Sequence, residues 1–428
     1  MGKKVLYVSD NRNRVNWGCR GTSISLYQTL STNYEMKNII YGDDVRGPLS
    51  KNNLLSKNSR FISFLFYAAR KNYVFKRLKE SSYYDFIQHD PSKSLQTFLK
   101  NLHNNDKFLE IYYKIKNSDI VIINGEGDAI FTTPPRRQYL FLLFMIELST
   151  YLRKNVYYVN GVISDCPSTG RNLETYNYSK ITLSKCKRVL VRDPVSLEMV
   201  KEMSKEINCE YIPDSLFTWR KYFYDVSLPS NGDFIIPHPE DDFLFNNLNF
   251  NLPYICIGGS SSAAWKPQEA IPQYINLVKR VKELGLNIYL VQTCSGDSFL
   301  KNVSEATTTP LIPVNVPILS GGLILAKSKL FISGRYHPSI FASLGGTPCI
   351  FLGSNSHKTK SLQKVLEYKE IEEFSAIPSE EECNAIIERA KSILVNEKEI
   401  RENIKKVVEK REEEAKKIVN IIECIDTK

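Results

Sequence analysis

The chain has 428 residues, 42% of them hydrophobic and 24% charged, with a formal net charge of +10. That length exceeds one ordinary hydrophobic core and calls for two domains, while the mixture excludes a disordered or fibrous chain. The positive charge points to an anionic partner without choosing among sugar nucleotide, phosphorylated metabolite, nucleic acid and membrane surface.

The first ten residues, MGKKVLYVSD, run from a basic pair into a β-type stretch, and no apolar run reaches the roughly 20 residues that span a bilayer. A cytoplasmic protein is expected, and the charge leaves room for peripheral contact with the inner membrane face. Nine cysteines, at 19, 166, 186, 209, 256, 294, 349, 383 and 424, show no paired ligand spacing. Free thiols are expected, with neither structural zinc nor a disulfide framework.

Residues 4–9 (KVLYVS) read as a buried strand, and the loop NRNRVNWGCRGTS leads into a helix, SISLYQTLS, capped by Thr22 or Ser23. Residues 51–116, rich in Lys, Asn, Ser and Tyr, form a helical insertion or cover. The chain then alternates: strand 119–123 (DIVII), turn 124–128 (NGEGD), helix 138–154, strand 156–160 (VYYVN), strand 189–191 and helix 194–203, begun by a proline in its first turn. Residues 139–148 (YLFLLFMIEL) are too short a run to cross a membrane and read as a buried helix. Residues 221–252, with their prolines, asparagines and acids, break the pattern as a linker. The rhythm restarts with PYICIGGSS, the helix YINLVKRVKELG and the strand NIYLVQT. Such alternation implies parallel sheets covered on both faces. The expected architecture is α/β, two Rossmann-like parallel-sheet domains facing a cleft, residues 1–230 and 250–428. The charged helical segment 380–423 would pack along the outside of a domain.

The richest stretch is 330–358. LFIS is a strand, Arg335 and His337 sit where it ends, and PSIFASLGG is a helix with Pro338 at its first turn. A strand-to-helix junction at the carboxyl edge of a parallel sheet binds ligands, and the helix N-terminus supplies free N–H groups and partial positive charge. Arginine forks two hydrogen bonds to phosphate or carboxylate, and histidine donates a hydrogen bond or moves a proton. A capping histidine and a salt-bridged arginine are the plainer alternatives. The polar loop GSNSHKTKS after the next strand could bring Ser354, Ser356, His357 and Lys358 to the same pocket. Gly125 and Gly127 serve a tight turn, Glu126 and Asp128 divide between solvated acids and a role toward an acceptor, and Asp193 caps the helix after it.

The run FISGRYHPSIFASLGGTPCIFLGSNSHKTKSL resembles the C-terminal signature of polysaccharide pyruvyl transferases: an Arg-x-His element, a small-residue helix, a Gly-x-Pro strand start and a following lysine. NWGCRGTS, IINGEGD, VYYVNGVIS, RDPVS and YIPDSLF are similar to further elements of that family. The resemblance implies the two-domain fold of the glycosyltransferase-B class and pyruvyl transfer from phosphoenolpyruvate, as co-substrate, to a saccharide or lipid-linked saccharide. No metal, organic cofactor or nucleic acid is then expected. It implies that Arg335 and His337 hold the donor, joined by Ser354, Ser356, Lys358 and Arg192, with His337 a candidate acid and Asp128, Glu126 or Asp214 a candidate base. Asn16, Gly18, Gly125 and Gly127 would form acceptor-side loops. The His337-Pro338 pair also occurs in bacterial sialyltransferases, so a glycosyltransferase using a CMP-activated sugar on the same fold is the alternative.

Overall fold

The computed structural model describes residues 2–46, 86–223 and 248–426. The insertion before residue 86 and most of the expected linker lie outside these residues. Six parallel strands form the first sheet, in the order β2-β1-β3-β5-β7-β8: β1 (Lys4–Asp10), β2 (Glu35–Tyr41), β3 (Ile120–Asn124), β5 (Asn155–Gly161), β7 (Arg188–Val191) and β8 (Cys209–Tyr211). A small parallel pair, β4 (Ala129–Phe131) and β6 (Ile163–Asp165), stands beside it. The second sheet has five parallel strands in the order β11-β10-β9-β12-β13: β9 (Tyr254–Ser260), β10 (Asn287–Val291), β11 (Leu311–Ile312), β12 (Leu330–Gly334) and β13 (Cys349–Phe351). Strands β3 and β9 are buried along their whole length, as near-continuous apolar runs between two helical layers must be.

Both orders reverse direction at their first strand, β1 between β2 and β3, and β9 between β10 and β12. Open α/β sheets bind ligands beyond the carboxyl ends of strands at such reversals. The loops that leave β1, β3 and β12 therefore converge on one place between the domains.

The first helix starts earlier than its composition suggests. It spans Trp17–Leu30, capped by Asn16, whose side chain accepts from the Cys19 N–H, and Thr22 and Ser23 lie inside it. Helix Arg137–Tyr151 buries every residue from Tyr139 to Ser149, which explains its uniform apolarity. Helix Pro194–Met203 is capped by Asp193 as read from the sequence.

Each domain lends a piece to the other. Trp17 inserts into the second domain's core, its indole N–H donating to the Val314 carbonyl at 2.7 Å. A Cβ at Gly321 would stand 2.3 Å from that ring, so only glycine leaves room for it. The short helix Ser215–Tyr222 likewise adds Leu216, Phe217 and Trp219 to the second core. In return the final helix, Ile418–Asp426, places Ile418, Val419 and Ile422 against Val5, Tyr7, Leu26 and Leu30 of the first domain. The charged tail is thus not simply an outer cover. Its apolar stripe continues the interior of the first domain, and Arg411 of helix Glu397–Lys416 is buried, donating to the Val365 carbonyl.

Candidate functional site

A polar cavity of about 250 Å³ opens at the convergence. Its first-domain wall holds Arg14 and Asn16 from the loop after β1, Glu126 to Asp128 after β3, Arg136 and Arg192; its second-domain wall holds Ser261, Thr293, Arg335 to Pro338, Asn355 and Lys358. Five guanidinium or ammonium groups, from Arg14, Arg136, Arg192, Arg335 and Lys358, face two carboxylates, Glu126 and Asp128. The N-terminus of helix Tyr336–Leu344 adds its partial positive charge. The cavity is therefore built for an anion.

Arg335 is braced from behind. Its Nε and Nη2 donate to Asp297 Oδ1 at 3.0 and 2.6 Å, and Nη1 donates to Ser261 Oγ at 3.2 Å. Asp297 is fully buried, and its other oxygen accepts from the Thr293 N–H and hydroxyl. A Cβ at Gly259 would fall 2.1 Å from Asp297 Oδ1, so a glycine there gives the carboxylate its seat.

Arg192 follows β7, and its guanidinium lies 4.5 Å from the Tyr336 ring centroid. Nη1 donates to Asp214 Oδ2 at 2.9 Å and to His337 Nε2 at 2.9 Å, while Nη2 stands at the cavity beside Gly127. His337 Nε2 also lies 3.2 Å from Asp214 Oδ2, yet one ring nitrogen cannot accept from Arg192 and donate to Asp214 together. Burial and the adjacent Arg192 charge push the imidazole below its ordinary pKa, and because a guanidinium can only donate, Nε2 accepts in the bond with Arg192. His337 is then poor in the protonated form that the expected acid role requires. Its remaining N–H, at Nδ1, faces Gly18, where a Cβ would come within 2.5 Å of that nitrogen.

Lys358 and Asp128 are the two groups left unengaged. Neither side chain makes a hydrogen bond or ion pair with another described residue. Burial, with Arg192, Arg136 and Arg335 nearby, brings the Lys358 ammonium down to about 7. Burial and the Glu126 carboxylate push Asp128 up to about 6. A cation and an acid that both titrate near neutrality thus face the same cavity. Perturbed groups of this kind gather where chemistry is done.

Of the other expected positions, Asn16, Glu126 and Gly127 line the cavity and the rest do not. Asp214 lies behind the cavity wall, its Oδ1 engaged by the Thr22 hydroxyl and the Leu216 N–H and its Oδ2 by Arg192, whose charge holds it well below the carboxylate range against the pull of burial. It orients Arg192 and does not line the cavity, so it is not placed to act as a base. Glu126 does line the cavity, in left-handed backbone, with Oε2 taken by the Asn11 amide. Asn16 and Gly18 belong to a helix start, as cap and first turn, because the Asn16 side chain satisfies a free N–H there. Gly125 makes room for the Tyr158 ring, 2.3 Å from where a Cβ would be, and does not touch the cavity. Gly127 does line it. Ser354 and Ser356 sit outside it, Ser354 beside Asn355 and Ser356 buried; Asn355 between them lines the wall, and Lys358 opens a helix, Lys358–Val365. Sequence reading missed Arg14, Arg136 and Asp297. The paired arginines of PPRRQ before a helix were the available signal for Arg136, whereas nothing local to SGD marks Asp297.

Eight cysteines among the described residues are free thiols, no group of three or more His, Cys, Asp or Glu among those residues is set to hold a metal, and none of their helices is long and apolar enough to cross a membrane.

Two parallel-sheet domains that face each other across a cationic cleft define the glycosyltransferase-B fold. A family model described as polysaccharide pyruvyl transferase matches residues 45–356, and the chain belongs to that family. Among curated proteins none is similar enough to match. Solved structures of the same fold include the UDP-GlcNAc 2-epimerase of Neisseria meningitidis bound to UDP-GlcNAc, 11% identical, with a TM-score of 0.54 over 99% of this chain and 100% of that one. Another is the Anabaena HepE protein in complex with UDP and glucose, 11% identical, TM-score 0.55, again over 99% and 100% of the two chains. The UDP-GlcNAc 2-epimerase of Methanocaldococcus jannaschii is 11% identical with a TM-score of 0.52, over 98% and 99%. At such identity the likeness is one of fold.

Proposed function

We propose that the protein moves the pyruvyl group of phosphoenolpyruvate onto two hydroxyls of a sugar, in a surface polysaccharide such as a capsule or exopolysaccharide or in its lipid-linked precursor. The carrying observation is the convergence of the unengaged Lys358 ammonium, the Arg192 Nη2 edge and a helix N-terminus on one cavity of about 250 Å³. That volume lies below the roughly 300–1,000 Å³ of sites for drug-sized ligands, and suits a compact acid with phosphate and carboxylate better than a whole nucleotide sugar.

In this reading Arg335, Arg192 and Lys358 hold the donor's two anionic groups, with His337 fixing Arg192 and offering its Nδ1 hydrogen. Asp128, protonated in part near neutrality, gives its proton to the methylene carbon. The first acceptor hydroxyl bonds to the central carbon, the bond from that carbon to the phosphate oxygen breaks, and the second hydroxyl closes the ketal. Of the two protons that the hydroxyls surrender, one leaves with phosphate and one restores Asp128. The cationic wall stabilises the charge that gathers on the departing phosphate. The reaction would run in the cytoplasm, where a lipid-linked acceptor brings the enzyme to the inner membrane face.

The test is incubation with phosphoenolpyruvate and candidate saccharides, following phosphate release and the ketal methyl signal by NMR. Equal yields of both support the proposal. Transfer of a sugar from a CMP- or UDP-linked donor, with phosphoenolpyruvate inert, would replace it.

A further inference from the structure

Asp193 does more than cap a helix. It is fully buried, and its carboxylate gathers four hydrogen bonds: Oδ1 accepts from the Ser196 N–H at 2.9 Å, from the Ser361 hydroxyl at 2.6 Å and from His357 Nε2 at 3.1 Å, and Oδ2 accepts from the Ser196 hydroxyl at 2.7 Å. A helix cap needs only the first of these. Ser361 and His357 belong to the second domain, so the carboxylate bonds across the cleft. Its neighbour in sequence, Arg192, also crosses the cleft, to His337.

The two cross-cleft partners flank one residue. His357 caps helix Lys358–Val365 and Ser361 lies one turn further on the same face. Lys358 stands between them, about 100° round the helix from His357, and turns toward the cavity.

We infer that Asp193, through His357 and Ser361, is a positioning residue that pins the start of helix Lys358–Val365 to the first domain and so holds the Lys358 ammonium in the donor cavity. The role of Lys358 toward phosphoenolpyruvate rests on the proposed function; its placement by Asp193 does not.

Pinning keeps Lys358 among Arg192, Arg136 and Arg335, with Cys19 and Asp128 beside it and Arg14, Glu126 and His337 lining the same cavity. Released from the joint, the helix start moves away from those cations and the amine returns toward its ordinary basicity. The test therefore needs no substrate. Trace acetylation of the full-length protein, read peptide by peptide by mass spectrometry from roughly pH 6 to 11, gives the titration of Lys358. Lys360, exposed and two residues on, is the internal control.

Asp193→Asn keeps an equally good helix cap and removes the charge, and Ser361→Ala removes one bond while leaving Asp193 intact. Both variants should titrate at Lys358 at least one pH unit higher than the parent, with Lys360 unmoved. If Asp193→Asn fails to fold, Ser361→Ala carries the test alone. An unchanged Lys358 titration in Ser361→Ala overturns the inference and returns Asp193 to a plain cap. Protection of Lys358 by phosphoenolpyruvate in the parent is scored separately: its absence would count against the donor and leave the positioning result standing.

Discussion

Gly18→Ala puts the smallest possible wedge into the seam between the domains. The added carbon would stand 2.5 Å from His337 Nδ1, 2.7 Å from its Cβ and 2.8 Å from its Cγ. Ordinary carbon contacts fall at about 3.5–4.0 Å, so the imidazole must retreat by about 1 Å. Overpacking of that size costs about 1–3 kcal/mol, and the better helix propensity of alanine returns about 1 kcal/mol, so the fold survives with a modest loss. Function is hit harder. His337 holds Arg192, and a 1 Å error in a group that positions a reactant costs about 100-fold in rate; a loss of donor affinity is expected beside it, because Arg192 is one of the donor's cations. Stabilisation by ligand reads this directly. If the parent is assayed at 100 times its Kd for phosphoenolpyruvate, it gains about 2.7 kcal/mol, and a variant that binds 100-fold more weakly gains only about 0.4 kcal/mol at the same concentration. A Gly18→Ala protein that keeps the full parental gain would refute the claim that the His337 seam forms the donor site.

Three further outcomes follow from the same geometry. Arg335→Lys keeps the charge but cannot span Asp297 and the cavity with a planar fork, so donor affinity should fall about 10- to 100-fold with an unchanged circular dichroism spectrum; unaltered affinity would show that general attraction suffices. Arg192→Ala leaves the buried Asp214 carboxylate without its cation, which costs about 3–5 kcal/mol and lowers the thermal midpoint, so a midpoint equal to the parent's would show that Asp214 finds another partner. Asp128 is raised in the folded state from 3.8 to about 6, so the fold binds its proton more tightly than the unfolded chain does. That preference penalises folding progressively as pH climbs from about 4 to 6 and fully above it. Asp128→Asn should therefore be inactive yet more stable than the parent above pH 6, with the gain gone below pH 4; a gain that persists in acid would contradict the assignment.

The strands were legible because buried parallel strands are nearly all apolar, and residues 120–123 and 255–257 are as plain in sequence as in the sheets. Helix Pro194–Met203 was legible because its cap and its proline are local signals. What the sequence hid was contact between distant segments. The Asn16 cap was masked by Thr22 and Ser23, which look like caps but serve as buried hydrogen-bond partners inside the helix. Arg335 and His337 could be found from a strand end and a helix start. The lowered basicity of His337 depends on its burial and on Arg192, 145 residues away, and no spacing rule carries such a pairing. Asp214 read as a candidate base for the same reason, since its partners Thr22 and Arg192 come from two other stretches of chain.

Calorimetric titration decides whether the cationic cavity takes a small phosphorylated acid. Phosphoenolpyruvate should bind the parent protein saturably at one site per chain, and its affinity should fall at least tenfold in Arg335→Lys, while CMP, UDP and GDP give no heat above dilution. Saturable binding of one of those nucleotides, with none for phosphoenolpyruvate, would rule out pyruvyl transfer and make the protein a user of nucleotide-activated sugars.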